Sequence, residues 1–174
     1  MTEIRLARPE DVDAIWALVQ RAAAHMQSLD NPQWGEDYPT RAHYAADQAR
    51  DELYVAEDED GTILGAVCLN QEQTPEYALL PWAVSGPAMV LHRLAVDPDA
   101  QRRGVGRSFF QFAEAMARCH CLPTFHLDTY ARNDRMQALI RSQGFTQVGT
   151  IRLHGRPLPY PCFEKSLAIG DARE

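Results

Sequence analysis

The segment that most constrains this chain runs Leu91-His92-Arg93-Leu94-Ala95-Val96-Asp97-Pro98-Asp99-Ala100-Gln101-Arg102-Arg103-Gly104-Val105-Gly106-Arg107. It reads as a strand stopped by Asp97-Pro98, a tight loop, and two glycines that open an amphipathic helix. The helix shows in Val105, Phe109, Phe112 and Met116, apolar positions spaced by four, three and four. Whatever fold the chain adopts must therefore join a strand to a helix across this loop. The first turn of a helix carries backbone N–H groups with no partner inside the helix, aligned with a favourable dipole. Glycine at 104 and 106 removes side chains that would block an approaching phosphate, and Arg102, Arg103 and Arg107 add positive charge nearby. The segment reads as a holder of phosphate or pyrophosphate. It is not a P-loop, because no Gly-Lys-Ser/Thr follows, and Phe109 stands where a dinucleotide-binding fingerprint needs its third glycine.

The flanking sequence supplies an element order. Glu3 to Arg8 alternates as a short strand; Pro9 opens a helix with Val12, Ile15, Trp16, Val19, Ala22, Ala23 and Met26 at helical spacing, and Asn31-Pro32 stops it. After a loop bearing Trp34 and Tyr38, Thr40 caps a second helix through about Asp51. Leu53 to Glu57 and Thr62 to Asn70 read as a hairpin around Asp58-Glu59-Asp60-Gly61, and Gln71 to Pro87 as a long surface connection. Met89 to Val96 is a strand, the glycine helix follows, then a strand at Thr124 to Asp128 and a helix at Asn133 to Gln143 closed by Gly144. Strands at Phe145 to Leu153 and Pro161 to Leu167 complete the order β-α-α-β-β-β-α-β-α-β-β.

Composition sets the bounds. A length of 174 residues implies one domain, and nothing in it is apolar for long enough to span a bilayer. No apolar stretch follows Glu3, Arg5 and Arg8, so the expected location is cytoplasmic. Net charge is −7, which argues against a nucleic-acid partner; a basic cluster on an acidic protein suits a small anion instead. The four cysteines, Cys68, Cys119, Cys121 and Cys162, are expected as reduced thiols. Cys119-His120-Cys121 lacks the second half of a zinc spacing, so no metal is expected.

The stretch Leu94-Ala95-Val96, Pro98 and Gln101-Arg102-Arg103-Gly104-Val105-Gly106 resembles the acyl-CoA-binding motif of the GNAT superfamily of N-acetyltransferases. Leu127-Asp128-Thr129, Asn133 and Gly144-Phe145 are similar to the second half of that pattern, and the element order matches it over nearly the whole chain. The resemblance implies an α/β GNAT fold, a mixed and mostly antiparallel sheet flanked by helices. One domain would cover residues 1–168, with a loose tail over 169–174. It implies an acetyl-CoA-dependent N-acetyltransferase using acetyl-CoA as co-substrate and no metal. The backbone of Leu94, Ala95 and Val96 would pair with the pantetheine arm, and the Leu94 N–H would polarise the thioester carbonyl. Gln101, Arg102, Arg103, Gly104, Val105, Gly106 and Arg107 would hold the pyrophosphate, and Asn133 would lie near the pantetheine and acyl region.

Such a reaction needs a free amine, and a primary amine of pKa about 10 is mostly protonated at neutral pH, so a base is required. His92, where some members of the family also place a histidine, has an ordinary pKa of about 6.5 suited to that role. The other reading of His92 is a histidine that only hydrogen-bonds beneath the site. Val90 stands where other members carry a glutamate, and Ile140 where many carry a tyrosine that protonates the leaving thiolate. Tyr130, Tyr160 and Cys162 are alternatives for the acid that nothing in the sequence places. Gln33, Trp34 and Tyr38, with Tyr77 and Trp82 on the long connection, are expected at the acceptor or as packing anchors of their loops. Glu36, Asp37 and Glu76 would suit a cationic amine, or are solvated loop charges. The expected acceptor is a small-molecule amine, with two alternatives: a non-catalytic acyl-CoA sensor, and an enzyme acetylating protein N-termini or peptides. Oligomeric state, a homodimer among the options, is left open.

Overall fold

The structure, a computed structural model, describes residues 2–167. Its strands are β1 Glu3–Leu6, β2 Leu53–Glu57, β3 Ile63–Asn70, β4 Ala88–Val96, β5 Thr124–Asp128, β6 Thr146–Ile151 and β7 Tyr160–Ser166. The helices are α1 Val12–Ser28, α2 Arg41–Ala49, α3 Val105–Cys119 and α4 Asp134–Ser142. The strands lie in the order β1-β2-β3-β4-β5-β7-β6, a mixed sheet that is mostly antiparallel, as expected. The tail expected at 169–174 lies outside the described residues. Among the described residues no helix is long and apolar enough to cross a membrane.

The chain gathers into two compact units: one holds the chain up to Leu69 with Leu91–Phe110, the other holds Asn70–Val90 and the chain from Gln111 on. In the first, β1 and β2 pair antiparallel from Glu3↔Glu57 to Leu6↔Tyr54, and β2 with β3 from Leu53↔Cys68. The hairpin closes because the Asp58 carboxylate accepts from the amides of Asp60 and Thr62, both at 3.0 Å, while Gly61 takes a left-handed φ of 77°. One face of α1 (Ile15, Leu18, Val19, Ala22) buries against Leu53, Val55, Ala66, Tyr44 and Ala95. Pro9–Asp11 forms a short 3-10 turn ahead of α1, held by the Asp11 carboxylate on the Arg8 amide at 2.7 Å and on Arg5 at 2.8 Å. This is why the helix proper starts at Val12 and not at Pro9.

Gly65 fixes where α3 begins. A side-chain carbon there would stand 2.8 Å from the Ala95 carbonyl oxygen, 3.0 Å from Phe109 and 3.2 Å from Val105. Only a bare backbone lets the first turns of α3 lie this close to β3.

In the second unit, β5 and β7 pair antiparallel from Thr124↔Ser166 to Asp128↔Cys162, and β6 pairs with β7 with a bulge between Gln147 and Gly149. The parallel β4–β5 register covers Ala88↔Thr124 to Val90↔His126. The connection at 71–87, expected on the surface, is only half so. Leu79 is 87% exposed, but Tyr77 is 2% exposed and packs among Ala88, Val90, Tyr130, Ile151, Tyr160 and Cys162. Its ring supplies the apolar anchor that a long proline-rich loop needs to stay ordered.

Candidate active site

The first unit carries the glycine loop. Asp97 ends β4 with its amide on the Leu64 carbonyl at 2.8 Å, and its carboxylate takes Arg21 at 2.6 Å and the Asp99 amide at 3.0 Å. Partial burial works to raise the Asp97 pKa, but these donors outweigh it and hold it below the ordinary carboxylate value. From that anchor Pro98–Ala100 makes a 3-10 turn, and Arg102 (φ 65°) and Gly104 (φ 76°) both turn left-handed before Val105 starts α3. A side chain at Gly104 would meet nothing within 4 Å, so the glycine serves the backbone turn and faces open space. The Ser108 amide and hydroxyl both donate to the Gly104 carbonyl at 2.9 Å, closing the first helical turn. Val105, Gly106 and Arg107 precede it, so their N–H groups have no partner within the helix. Arg102, Arg103 and Arg107 are exposed.

Upstream, β4 changes character at Arg93, whose φ is 49°. Ala88 to Leu91 are buried, then His92, Arg93 and Leu94 are all half-buried, so the alternation of a regular strand is lost there. The Arg93 guanidinium grips Asp47 with two bonds, Nε at 2.8 Å and Nη2 at 2.7 Å, and Nη1 donates to the Tyr38 hydroxyl at 3.2 Å. The Tyr44 hydroxyl donates to the Arg93 carbonyl at 3.2 Å. Burial works against the Arg93 charge, and Tyr38 and Asp47 more than offset it, holding its pKa above the ordinary arginine value. Asp47, Glu52 and Cys68 bring ligand atoms within 4.8 Å of one another. Both Asp47 oxygens are taken by Arg93, and burial pushes the Cys68 thiol up to about 12, which makes the trio a poor metal site. Cys119 and Cys121 are exposed thiols.

Of the residues expected at the acceptor, Trp34 is 5% exposed in the first unit's core, and its carbonyl accepts from Gln27 at 2.9 Å. Gln33 and Tyr38 are half-buried, and Tyr38 meets His43 edge-on at 5.0 Å. Tyr77 and Trp82 belong to the second unit, where the Trp82 indole N–H donates to the Tyr77 carbonyl at 2.7 Å. Trp82 stacks on His126 with centroids 3.7 Å apart and planes 11° apart. Asn133 caps α4, its Oδ1 accepting from the Met136 amide at 3.1 Å. Ile140 is fully buried. The Tyr130 hydroxyl accepts from the Leu158 amide at 3.2 Å, and burial raises the Cys162 thiol far above its ordinary value.

Two polar groupings of the second unit have no forerunner in the sequence reading. Glu164, 6% exposed, accepts from the amides of Ala83 at 2.9 Å and Val84 at 3.2 Å, and lies 3.2 Å from His126 Nε2. His126 Nδ1 is buried without a partner, so the ring is neutral with its proton on Nε2. In agreement, burial lowers the His126 pKa, and the opposing pull of Glu164 does not restore it. At the end of β5, the Tyr77 hydroxyl donates to Asp128 Oδ2 at 2.6 Å. Burial pushes the Asp128 carboxyl up to about 6, against the lowering effect of that hydrogen bond.

A family model described as the acetyltransferase (GNAT) family matches residues 23–145. Over 103 residues, 59% of this chain, the sequence is 32% identical to a mycothiol acetyltransferase of Beutenbergia cavernae, and the match spans 31% of that relative's length. An acetyltransferase of the GNAT family from Streptococcus agalactiae has the same fold at a TM-score of 0.83, with 24% identity and 95% of each chain covered. A Salmonella typhimurium protein solved with its cofactor acetyl-CoA aligns at a TM-score of 0.71 with 18% identity, covering 100% of this chain and 98% of that one.

Proposed function

This chain belongs to the acetyltransferase (GNAT) family, and from that premise we propose that it moves the acetyl group of acetyl-CoA to a primary amine by direct attack in a ternary complex. The observation that carries the reading is the turn at Arg102 and Gly104, which leads into the bare amides at the start of α3 among three exposed arginines. That arrangement suits a pyrophosphate, with the amides as donors and the guanidinium groups as counter-charge. Gln101, Arg102, Arg103, Gly104, Val105, Gly106 and Arg107 form this cradle. The backbone of Leu94, Ala95 and Val96 takes the pantetheine arm as an added strand. Asn133 completes the cofactor set in this reading, although its Oδ1 is engaged in the cap of α4.

In the reaction the amine nitrogen attacks the thioester carbonyl carbon, a C–N bond forms and the C–S bond breaks. The Leu94 N–H stabilises the charge that develops on the carbonyl oxygen. The proton shed by the ammonium passes to His92, directly or through a water. Coenzyme A leaves as the thiolate, which a thiol pKa of about 8.5 allows without an acid, so Ile140 in place of a tyrosine is tolerated. Of the expected acceptor residues, Gln33, Tyr38 and Trp82 keep partial exposure and are proposed as contacts, while Trp34 and Tyr77 support their loops from within the cores.

Thiol release from acetyl-CoA across amines, polyamines, amino acids and short peptides tests the reading. Release with one class establishes transfer and identifies the acceptor chemistry, peptides included. Tight coenzyme A binding with no release for any acceptor turns the reading to a sensor, the alternative that buried Ile140 favours. His92→Ala is expected to lower kcat/KM mostly at the lower end of the pH range, where free amine is scarce, with coenzyme A affinity unchanged. An unaltered pH–rate profile removes His92 from the mechanism.

A further inference from the structure

Asp128 is a carboxyl group without a cation. Its Oδ2 is held by the Tyr77 hydroxyl at 2.6 Å, and among the described residues no other side chain bonds to it. The charged and titratable groups that act on it or on which it acts are Tyr77, Glu76 and Cys162, none of them positive. Asp128 is half-buried, and a carboxylate drawn even partly out of water is ordinarily answered by a cation or several donors, because removing the charge from water is otherwise costly. Tyr77 is held in turn: its ring packs 5.1 Å from Trp82, and its carbonyl takes the Trp82 indole N–H. The carboxyl also sits at the carboxyl end of β5, just past the last pair of the parallel β4–β5 register, Val90↔His126. The ends of parallel strands are where open α/β sheets bind ligands.

We propose that Asp128, positioned by Tyr77, binds an ammonium group of the acceptor, so that the acceptor class is a cationic amine. This rests on the transferase reading for the word acceptor, but the ammonium site itself stands on the geometry of the second unit. Oδ1 is the oxygen that receives the ammonium, and Tyr77 fixes the rotation of the carboxyl so that Oδ1 stays available. A neutral amine such as aniline gains nothing from the site.

The test is calorimetric titration of the full chain, with and without coenzyme A, using 1,4-diaminobutane, agmatine, lysinamide and, as neutral control, aniline. At least one cationic amine is expected to bind, with affinity falling about tenfold or more in Asp128→Asn, as losing a hydrogen bond to a charged group does. Tyr77→Phe keeps the ring and removes the hydroxyl that favours the ionised carboxyl, so the pH at which binding sets in moves upward. Equal affinity in wild type and Asp128→Asn overturns the proposal, as does the failure of every cationic amine to bind. Absence of thiol release with Asp128-dependent amine binding intact defeats the transferase reading and leaves the ammonium site standing. Release that persists with equal rates for aniline and the diamine overturns the ammonium site and leaves the transferase.

Discussion

Arg93–Asp47 in the first unit and Tyr77–Asp128 in the second each hold a carboxyl group, buried in the first and half-buried in the second, and they treat it in opposite ways. Asp47 is 2% exposed, yet it faces a guanidinium that meets both its oxygens. Asp128 has only a phenol, and its pKa has risen to about 6. The first is a closed arrangement in which each charge answers the other, and it pins a left-handed residue in the middle of β4. The second is open: the fold tolerates a charge there without neutralising it. Full compensation marks a structural pair, and its absence marks a group kept for something outside the chain.

Removing one partner of the closed pair is expected to have the largest effect. Asp47→Ala leaves the Arg93 charge buried and unanswered, and the expected loss is about 3–5 kcal/mol in urea unfolding. Replacing both residues by apolar ones should recover much of that loss while slowing the proposed acetyl transfer, because the bend at Arg93 is then no longer held. If Asp47→Ala unfolds at the wild-type urea concentration, the pair is not the anchor described.

Asp128→Asn should act in the opposite direction. Its folded pKa of about 6 lies above the ordinary aspartate value of 3.8, so its contribution is fully present below pH ~4 and is lost as pH rises through 6. The wild type thus carries a penalty at neutral pH of up to about 3 kcal/mol, at 1.36 kcal/mol per pKa unit. Asp128→Asn is expected to be more stable than wild type at pH 7 and no more stable at pH 4. A stability that is lower at both pH values would mean that the carboxylate is compensated after all.

His126 provides the smallest and most diagnostic change. Its folded pKa is depressed, so its contribution is present above the unfolded value of about 6.5 and lost as pH falls. His126→Gln, which keeps a donor for Glu164, should flatten the acid side of the stability profile and leave the neutral side alone. An unchanged acid side would place the acid sensitivity elsewhere.

What the sequence shows plainly is what lies close together along it. The hairpin around Asp58, the glycine turn and the 3.6-residue rhythm of α3 are local patterns, and the structure places all three where they read. The polar pairs are invisible for the converse reason: Arg93 and Asp47 are 46 residues apart, Tyr77 and Asp128 51, and His126 and Glu164 38. No periodicity links them, because they meet only once the sheet order is set. Tyr77 reads from its neighbours as one aromatic in a proline-rich loop, and only the second unit's core shows it to be the loop's anchor. The left-handed turn at Arg93 had no signal either, since neither glycine nor asparagine stands there. Asn133 reads from the sequence as the first residue of a helix and, through family likeness, as a cofactor contact; the structure shows it as the cap of α4.

The stack of Trp82 on neutral His126 gives the second unit an optical reporter of its own. A protonated imidazole quenches an indole pressed against it, whereas a neutral one does so far less. Acid should therefore dim the Trp82 emission as His126 charges, ahead of any unfolding. Trp34, buried in the first unit's core, offers a second indole for comparison. With Trp16 and Trp34 both replaced by phenylalanine, the remaining emission would follow the proline-rich loop through each step of acid titration, with no label attached.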